Sequence, residues 1–107
     1  MRRFHHVGLP TDTVQPDETY VPATKVYVTS PDKHPYKVEF LRYEKDSPVT
    51  GPLRDLPHIA FETNNLKAEI KGQKVILGPF NPMPGLTVVF IVKDGAVYEF
   101  MEGNAKW

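Results

Sequence analysis

The segment LTVVFIVKDGAVYEFME, residues 86–102, decides the fold class of this chain. Two apolar runs, 86–93 and 96–102, flank the dipeptide Asp94-Gly95. Asp-Gly is a preferred two-residue connection in β-hairpins, because both central residues of that turn adopt positive φ angles. The segment therefore predicts a pair of antiparallel strands near the C-terminal end of the fold.

The residues that precede this hairpin predict a strand, a short helix and another strand. Composition indicates the two strands over 57–63 and 73–77. Between them, Asn64 and Asn65 offer N-cap side chains to a helix over 66–71, and Gly72 ends that helix. A proline-rich loop is expected over 79–85. The second half therefore has the order strand, helix, strand, strand, strand.

The first half shows the same strand order without the helix. Strands are predicted over 4–9, 19–21, 25–29 and 36–43, the second of them brief, with a turn over 30–35. Residues 11–24 contain Pro16 and Pro22 and no helical apolar period, so we expect no helix there. A polar segment with two prolines and a glycine, 44–56, predicts a linker between the halves.

These elements predict a single α+β domain over residues 1–107, a length that suits one domain. The sequence divides it into a first module (about 1–45), a linker (about 44–56) and a second module (about 57–104), with residues 103–107 frayed. None of the 11 prolines falls inside a predicted helix, which argues against an all-helical fold.

Charge and composition exclude several classes of function. The 13 basic residues balance 13 acidic ones, so no net field attracts nucleic acid or an anionic membrane. The absence of cysteine excludes disulfides, thiolate metal ligands and a cysteine nucleophile. We find no signal-peptide pattern and no run of about 18 apolar residues, and therefore expect a cytoplasmic location.

The two halves also share a repeated pair of motifs. These are HVGL (6–9) with HIAF (58–61), and VEFL (38–41) with YEFM (98–101). Each half therefore opens with a histidine, His6 or His58, and closes with a glutamate, Glu39 or Glu99. One glutamate in an apolar strand is readily explained by a solvent-exposed face, but the matched pairs favour a shared site.

Two imidazoles and two carboxylates on one face of a sheet would form a mixed nitrogen and oxygen site. Such a site suits a divalent metal ion (Ni, Zn, Co, Mn or Fe) and leaves coordination positions open for water or substrate. His5 is the alternative to His6 as a ligand and would point to the opposite face of the same strand. The alignment with His58 favours His6.

Paired modules with His, Glu, His and Glu in this order resemble the vicinal oxygen chelate superfamily, and most closely its glyoxalase-like members. The resemblance implies two βαβββ-type modules, the first without its helix, that form a curved, mainly antiparallel sheet around a metal cleft. It implies His6, Glu39, His58 and Glu99 as the metal ligands. It also implies Glu99 as the first candidate for the catalytic base and Glu39 as the second.

The resemblance implies a metal-dependent isomerase or lyase that acts through an enolate-type intermediate. Features that would bind glutathione are not visible in the first half, so we expect a smaller oxygen-chelating substrate, with hydroxy- or oxo-carbonyl groups. Two alternatives remain: a non-catalytic binding or resistance-type protein of the same fold, and a β domain whose histidines only pack. We also expect a homodimer, because a partner chain would cover open sheet edges.

Overall fold

The computed structural model describes residues 2–103, which form one mixed sheet of eight strands with two short helices. The elements in chain order are β1 (Arg2–Pro10), β2 (Thr19–Val21), β3 (Val26–Val28), β4 (Val38–Tyr43), α1 (Pro52–Asp55), β5 (His58–Thr63), α2 (Leu66–Ile70), β6 (Lys74–Met83), β7 (Leu86–Lys93) and β8 (Ala96–Gly103). A 3-10 turn at Pro31–Lys33 lies within the predicted turn. The α+β class is thus confirmed. Of the residues expected to fray, Gly103 ends β8 and 104–107 lie outside the described residues.

The strands lie in the order β2-β3-β4-β1-β5-β8-β7-β6. β1 and β5 are antiparallel neighbours at the centre, and each is parallel to the last strand of its own half, β4 or β8. The remaining pairs are antiparallel, including the β7·β8 hairpin predicted from Asp94-Gly95. The two halves therefore have the same internal strand order, and they join edge to edge in one sheet through the pairing of β1 with β5.

The sheet is curled, and its inner face carries the larger apolar core. Side chains from both edge strands, Val21 of β2 and Leu77 of β6, line the same interior cavity. Buried residues of the inner face are joined by Val49 and Leu53 from the linker. Leu53 lies in α1, a helical turn that was not predicted, and Pro52 begins this turn at a position where a missing N–H costs nothing.

α2 covers the outer face of the second half. Its Leu66 packs with Val89, Ile91 and Phe100 in a second cluster. The side chain of Asn65 accepts a hydrogen bond from the Ala68 N–H at 3.1 Å, which confirms the predicted N-cap.

No helix covers the outer face of the first half within the described residues, in agreement with the prediction that residues 11–24 form none. The Arg42 guanidinium pairs with Glu18 at 2.7 Å and lies over the Tyr27 ring, 4.2 Å from its centroid. Glu18 comes from the segment that replaces the helix. This bidentate pair therefore connects the segment to the sheet.

Residues 79–83 of the stretch predicted as a loop belong instead to β6, so the prediction was wrong there, whereas Pro84 and Gly85 form the turn that leads to β7. β6 runs through Pro79 and Pro82 and pairs with β7, with register shifts along its length. It is an edge strand, and a proline on an edge can place its missing N–H on the unpaired side. No helix among residues 2–103 is long and apolar enough to cross a membrane.

Candidate metal centre

The four residues singled out by the repeat meet on the inner face, at the centre of the sheet. The Nε2 atom of His6 lies 3.4 Å from Oε1 of both Glu39 and Glu99. The Nε2 atom of His58 lies 3.2 Å from Oε1 of Glu99 and 3.9 Å from Oε1 of Glu39. One ligand atom each from His6, Glu39 and His58 lies within 4.8 Å of the other two.

Strand register explains why these side chains converge. One row across the sheet runs from Glu39 on β4 through Gly8 on β1 to His58 on β5. The adjacent row runs from His6 on β1 through Ala60 on β5 to Glu99 on β8. In each row a histidine and a glutamate stand two strands apart, about 9–10 Å, with a small residue between them. Both can therefore lean inward over the small residue and meet.

The small residues are part of the site, although no role was predicted for them. A Cβ atom on Gly8 would lie 2.0 Å from Cε1 of His58, so the imidazole occupies the place of a side chain. Ala60, fully buried, has the matching position opposite His6. The signal was present in the repeat, since each histidine is followed two residues later by glycine or alanine.

The histidine nitrogens provide the test of whether a metal ion fits. The Nε2 atoms of His6 and His58 are buried and have no hydrogen-bond partner within the described part of the chain. A buried polar atom without a partner costs free energy, so such atoms call for a ligand. The distances of 3.2, 3.4, 3.4 and 3.9 Å mostly exceed hydrogen-bond length. They approach the separation of about 3.0–3.5 Å between ligands that each bind one ion at about 2.1 Å. The donor set fits a divalent metal ion.

The electrostatics of the cluster without metal are those of buried ion pairs. Burial alone would lower the pKa of His6, but the carboxylates of Glu39 and Glu99 outweigh it and raise the pKa to about 9. Burial would raise the pKa of Glu99, but the neighbouring histidines, His58 and His6, lower it below its ordinary value. A positive charge is therefore favoured where the ring nitrogens face the carboxylates, which is also where a metal cation would lie.

His5 does not point away from the site, which corrects the reason given for preferring His6. The β1·β5 register shifts between Phe4 and His6, so His5 lies at a bulge and the strand's alternation is broken there. Its Nδ1 atom lies 2.7 Å from Nδ1 of His6, and its side chain lines the same cavity. The Nε2 atom of His6 still faces the two glutamates, so His5 contacts the other ring nitrogen of this candidate ligand, Nδ1.

The four residues lie at the floor of an interior cavity of about 250 Å³. Tyr43 is a further polar residue on its wall, and sequence reasoning gave it no role. Burial and the nearby charges of Glu39 and Glu99 raise the pKa of Tyr43 to about 12, so it offers a neutral hydroxyl at physiological pH. The pattern VEFLRY places Tyr43 four residues after Glu39, on the same face of β4, and this spacing was the available signal.

Comparisons with known proteins identify the fold but no function. No protein-family model matches the chain, and no curated protein matches it. Among solved structures, it is similar to a hypothetical protein from Bacillus halodurans, with a TM-score of 0.73 and 18% identity. That similarity covers 99% of this chain and 97% of the other. At this identity the similarity shows a shared fold alone.

Proposed function

We propose that this chain is a metal-dependent isomerase or lyase of the glyoxalase-like, vicinal oxygen chelate type. The proposal rests on one observation: the two buried, unpartnered Nε2 atoms of His6 and His58 face the carboxylates of Glu39 and Glu99 at the floor of a cavity. The matching strand orders of the two halves support two βαβββ-type modules, the first without its helix.

His6, Glu39, His58 and Glu99 would hold the ion, which would be one of Ni, Zn, Co, Mn or Fe. A divalent ion there would act as a Lewis acid that stabilises negative charge developing on two adjacent oxygens of a substrate. The mostly apolar lining lowers the local dielectric constant, which strengthens electrostatic interactions inside the cavity. The hydroxyl of Tyr43 would donate a hydrogen bond to a substrate oxygen.

The glutamates supply the proton transfer that such a reaction needs. Glu99 is the first candidate for the base that removes a carbon-bound proton next to a carbonyl, and Glu39 is the second. The Glu39 side chain is more exposed than that of Glu99, at 19% against 10%, and its distances to the histidines are longer overall. Glu39 is therefore held less tightly, and both residues have to be tested.

Two measurements test the proposal in sequence. Elemental analysis of protein purified without a histidine tag, together with titration of Ni, Zn, Co and Mn, should find one ion per four-residue site. The loaded protein should then exchange the α-proton of α-hydroxy-carbonyl or 2-oxo compounds for deuterium, as seen by proton NMR in D₂O. A chelator should abolish exchange and added metal should restore it.

The variants assign the base and separate the two candidate functions. Glu99→Gln should stop deuterium exchange, whereas Glu39→Gln should only slow it. The reverse result would identify Glu39 as the catalytic base. Loaded protein that exchanges no compound in the panel but still binds some of them would be a binding protein of the same fold. This second function is favoured by the largely apolar lining of the cavity, which needs no chemistry to retain a ligand. Protein that takes up no metal would contradict the proposal.

A further inference from the structure

The cavity around the four candidate ligands is lined mostly by apolar side chains. Its lining includes Val88 and Met101 of the second half, Leu77 and Phe80 of β6, and Val49 and Leu53 of the linker, all of which belong to or pack against the inner core. Apart from the histidines and the two glutamates, the lining side chains with polar atoms are those of Thr24 and Tyr43.

No lysine or arginine is among the described residues that line this cavity. The Arg54 guanidinium contacts the Tyr43 ring, 5.7 Å from its centroid, and donates a hydrogen bond to the Glu44 carbonyl at 3.1 Å, but Arg54 is not among the residues that line the cavity. A divalent ion held by the carboxylates of Glu39 and Glu99 would have its two charges balanced. A charged substituent on a substrate would therefore be buried without a partner, and burial of an unpaired charge is strongly unfavourable.

The volume of the cavity sets the size of the group that lies next to the four candidate ligands. At about 250 Å³ it exceeds the cavity of about 150 Å³ that holds a benzene molecule in an apolar protein interior. A second pocket of about 540 Å³ shares five of its lining residues, so the 250 Å³ describes the space nearest the four candidate ligands; the shared residues are Thr24, Val49, Leu53, Leu77 and Phe80. One substituted ring, or a branched aliphatic chain of similar size, fills such a space.

We propose that the site binds an uncharged, largely apolar compound that presents two adjacent oxygen atoms to the four-residue cluster, and that the group carrying these oxygens is about one ring in size. This inference rests on the proposed function and narrows its substrate class. The inference excludes sugars, phosphate esters, amino acids and dicarboxylates as substrates. Each of these carries polar or charged groups for which the cavity lining offers too few hydrogen-bond or ionic partners. Burial of the ring against Phe80 and the aliphatic side chains supplies the affinity, and the two oxygens orient the molecule.

Four hydroxamic acids test the inference on the zinc- or nickel-loaded protein, because each presents two adjacent oxygens and they differ only in the attached group. Titration calorimetry should show benzohydroxamic acid binding at least tenfold more tightly than acetohydroxamic acid, which lacks the ring. The 3-carboxy and 4-carboxy derivatives of benzohydroxamic acid should bind at least tenfold more weakly than the parent compound.

Two phenylalanine variants locate the binding. Phe80→Ala should weaken benzohydroxamic acid at least fivefold and leave acetohydroxamic acid within twofold, which also shows that the variant is folded and loaded. Phe4→Ala is the matched control, since Phe4 is exposed and lies outside the cavity, and it should change neither affinity.

The outcomes separate this inference from the proposed function. Metal-loaded protein that binds acetohydroxamic and benzohydroxamic acids equally, or prefers a carboxylated derivative, overturns the inference and leaves the metal site intact. An equal loss in the Phe80→Ala and Phe4→Ala variants also overturns it, because the ring would then lie elsewhere. Failure of the protein to bind any divalent ion overturns the proposed function, and this inference with it.

Discussion

The imidazole of His58 lies directly over the α-carbon of Gly8, in the space that a side chain at that position would fill. The two residues are paired across β1 and β5, and an added Cβ would lie 2.0 Å from Cε1 and 2.5 Å from Nε2 of the histidine. Glu39 is the neighbour of Gly8 on the other side, in β4. One glycine thus allows a histidine and a glutamate from flanking strands to meet above it.

Gly8→Ala should therefore damage the candidate metal centre. The Cβ would displace the His58 ring, and overpacking of a buried site costs about 1–3 kcal/mol in the free energy of unfolding. We expect metal affinity to fall at least 100-fold, measured by competition with a chromogenic chelator. Thermal denaturation of the metal-free variant reports the stability change separately.

A second glycine provides the control for that substitution. Gly72 follows α2 at a φ of +75° and has no atom within 4 Å of an added Cβ. Gly72→Ala should cost about 1 kcal/mol through backbone strain alone, with metal affinity unchanged. Equal metal affinity in the two alanine variants would show that the Gly8–His58 contact does not position a ligand.

His5→Phe should weaken metal binding, although His5 is not one of the four ligands. When Nε2 of His6 binds a metal its ring proton lies on Nδ1, so His6 donates to Nδ1 of His5 across the 2.7 Å contact. Loss of such a partner behind a histidine ligand typically costs about 10- to 100-fold in metal affinity. His5→Gln, which retains an acceptor, should recover part of this loss. His34→Phe, in a turn outside the cavity, should have no effect.

Metal loading should reverse the pH dependence of stability between about pH 6.5 and 9. The carboxylates of Glu39 and Glu99 raise the pKa of His6 from 6.5 to about 9 in the metal-free fold. The stabilisation from that raised pKa is fully present below 6.5 and is lost as the pH rises through 9. The metal-free protein should thus lose about 1–3 kcal/mol of stability over this window.

The loaded protein should change in the opposite direction, because His6 must release its proton before its nitrogen can bind the ion. Apparent metal affinity and the melting temperature at limiting metal should both rise with pH over the same window. Melting curves at pH 6.5 and 9, with and without EDTA, measure both trends. A melting temperature that rises with pH in EDTA would contradict the assignment of His6 as a charged partner of the glutamates.

Light scattering at micromolar concentration should find a homodimer. Met83, at the end of the edge strand β6, lines the cavity and is 58% exposed, so a second chain over this edge would bury it and close the cavity mouth. Met83→Glu should shift the equilibrium toward monomer, whereas Tyr36→Glu, also highly exposed but outside the cavity, should not. A wild-type chain that is monomeric under these conditions would contradict the prediction.

Much of the fold was predictable because its signals are local. The Asp94-Gly95 turn specified the β7·β8 hairpin, and Asn65 specified the start of α2, since turn and cap geometries depend on a few consecutive residues. Extension of β6 through Pro79 was not predictable in this way. A proline is tolerated in a strand chiefly at a sheet edge or a bulge, and neither the position of a strand in the sheet nor its register is local information.

The sequence by itself also determined which four residues to examine, because His6, Glu39, His58 and Glu99 occupy equivalent places in a repeat. Only the tertiary structure decided that they meet, because convergence depends on the register of β1 with β4 and β5, and of β5 with β8. It also decided that His5 contacts His6, since a bulge in β1 cancels the alternation of faces that a regular strand would have. Residue order supplies the chemical groups, whereas pairing between distant strands sets the distances between them.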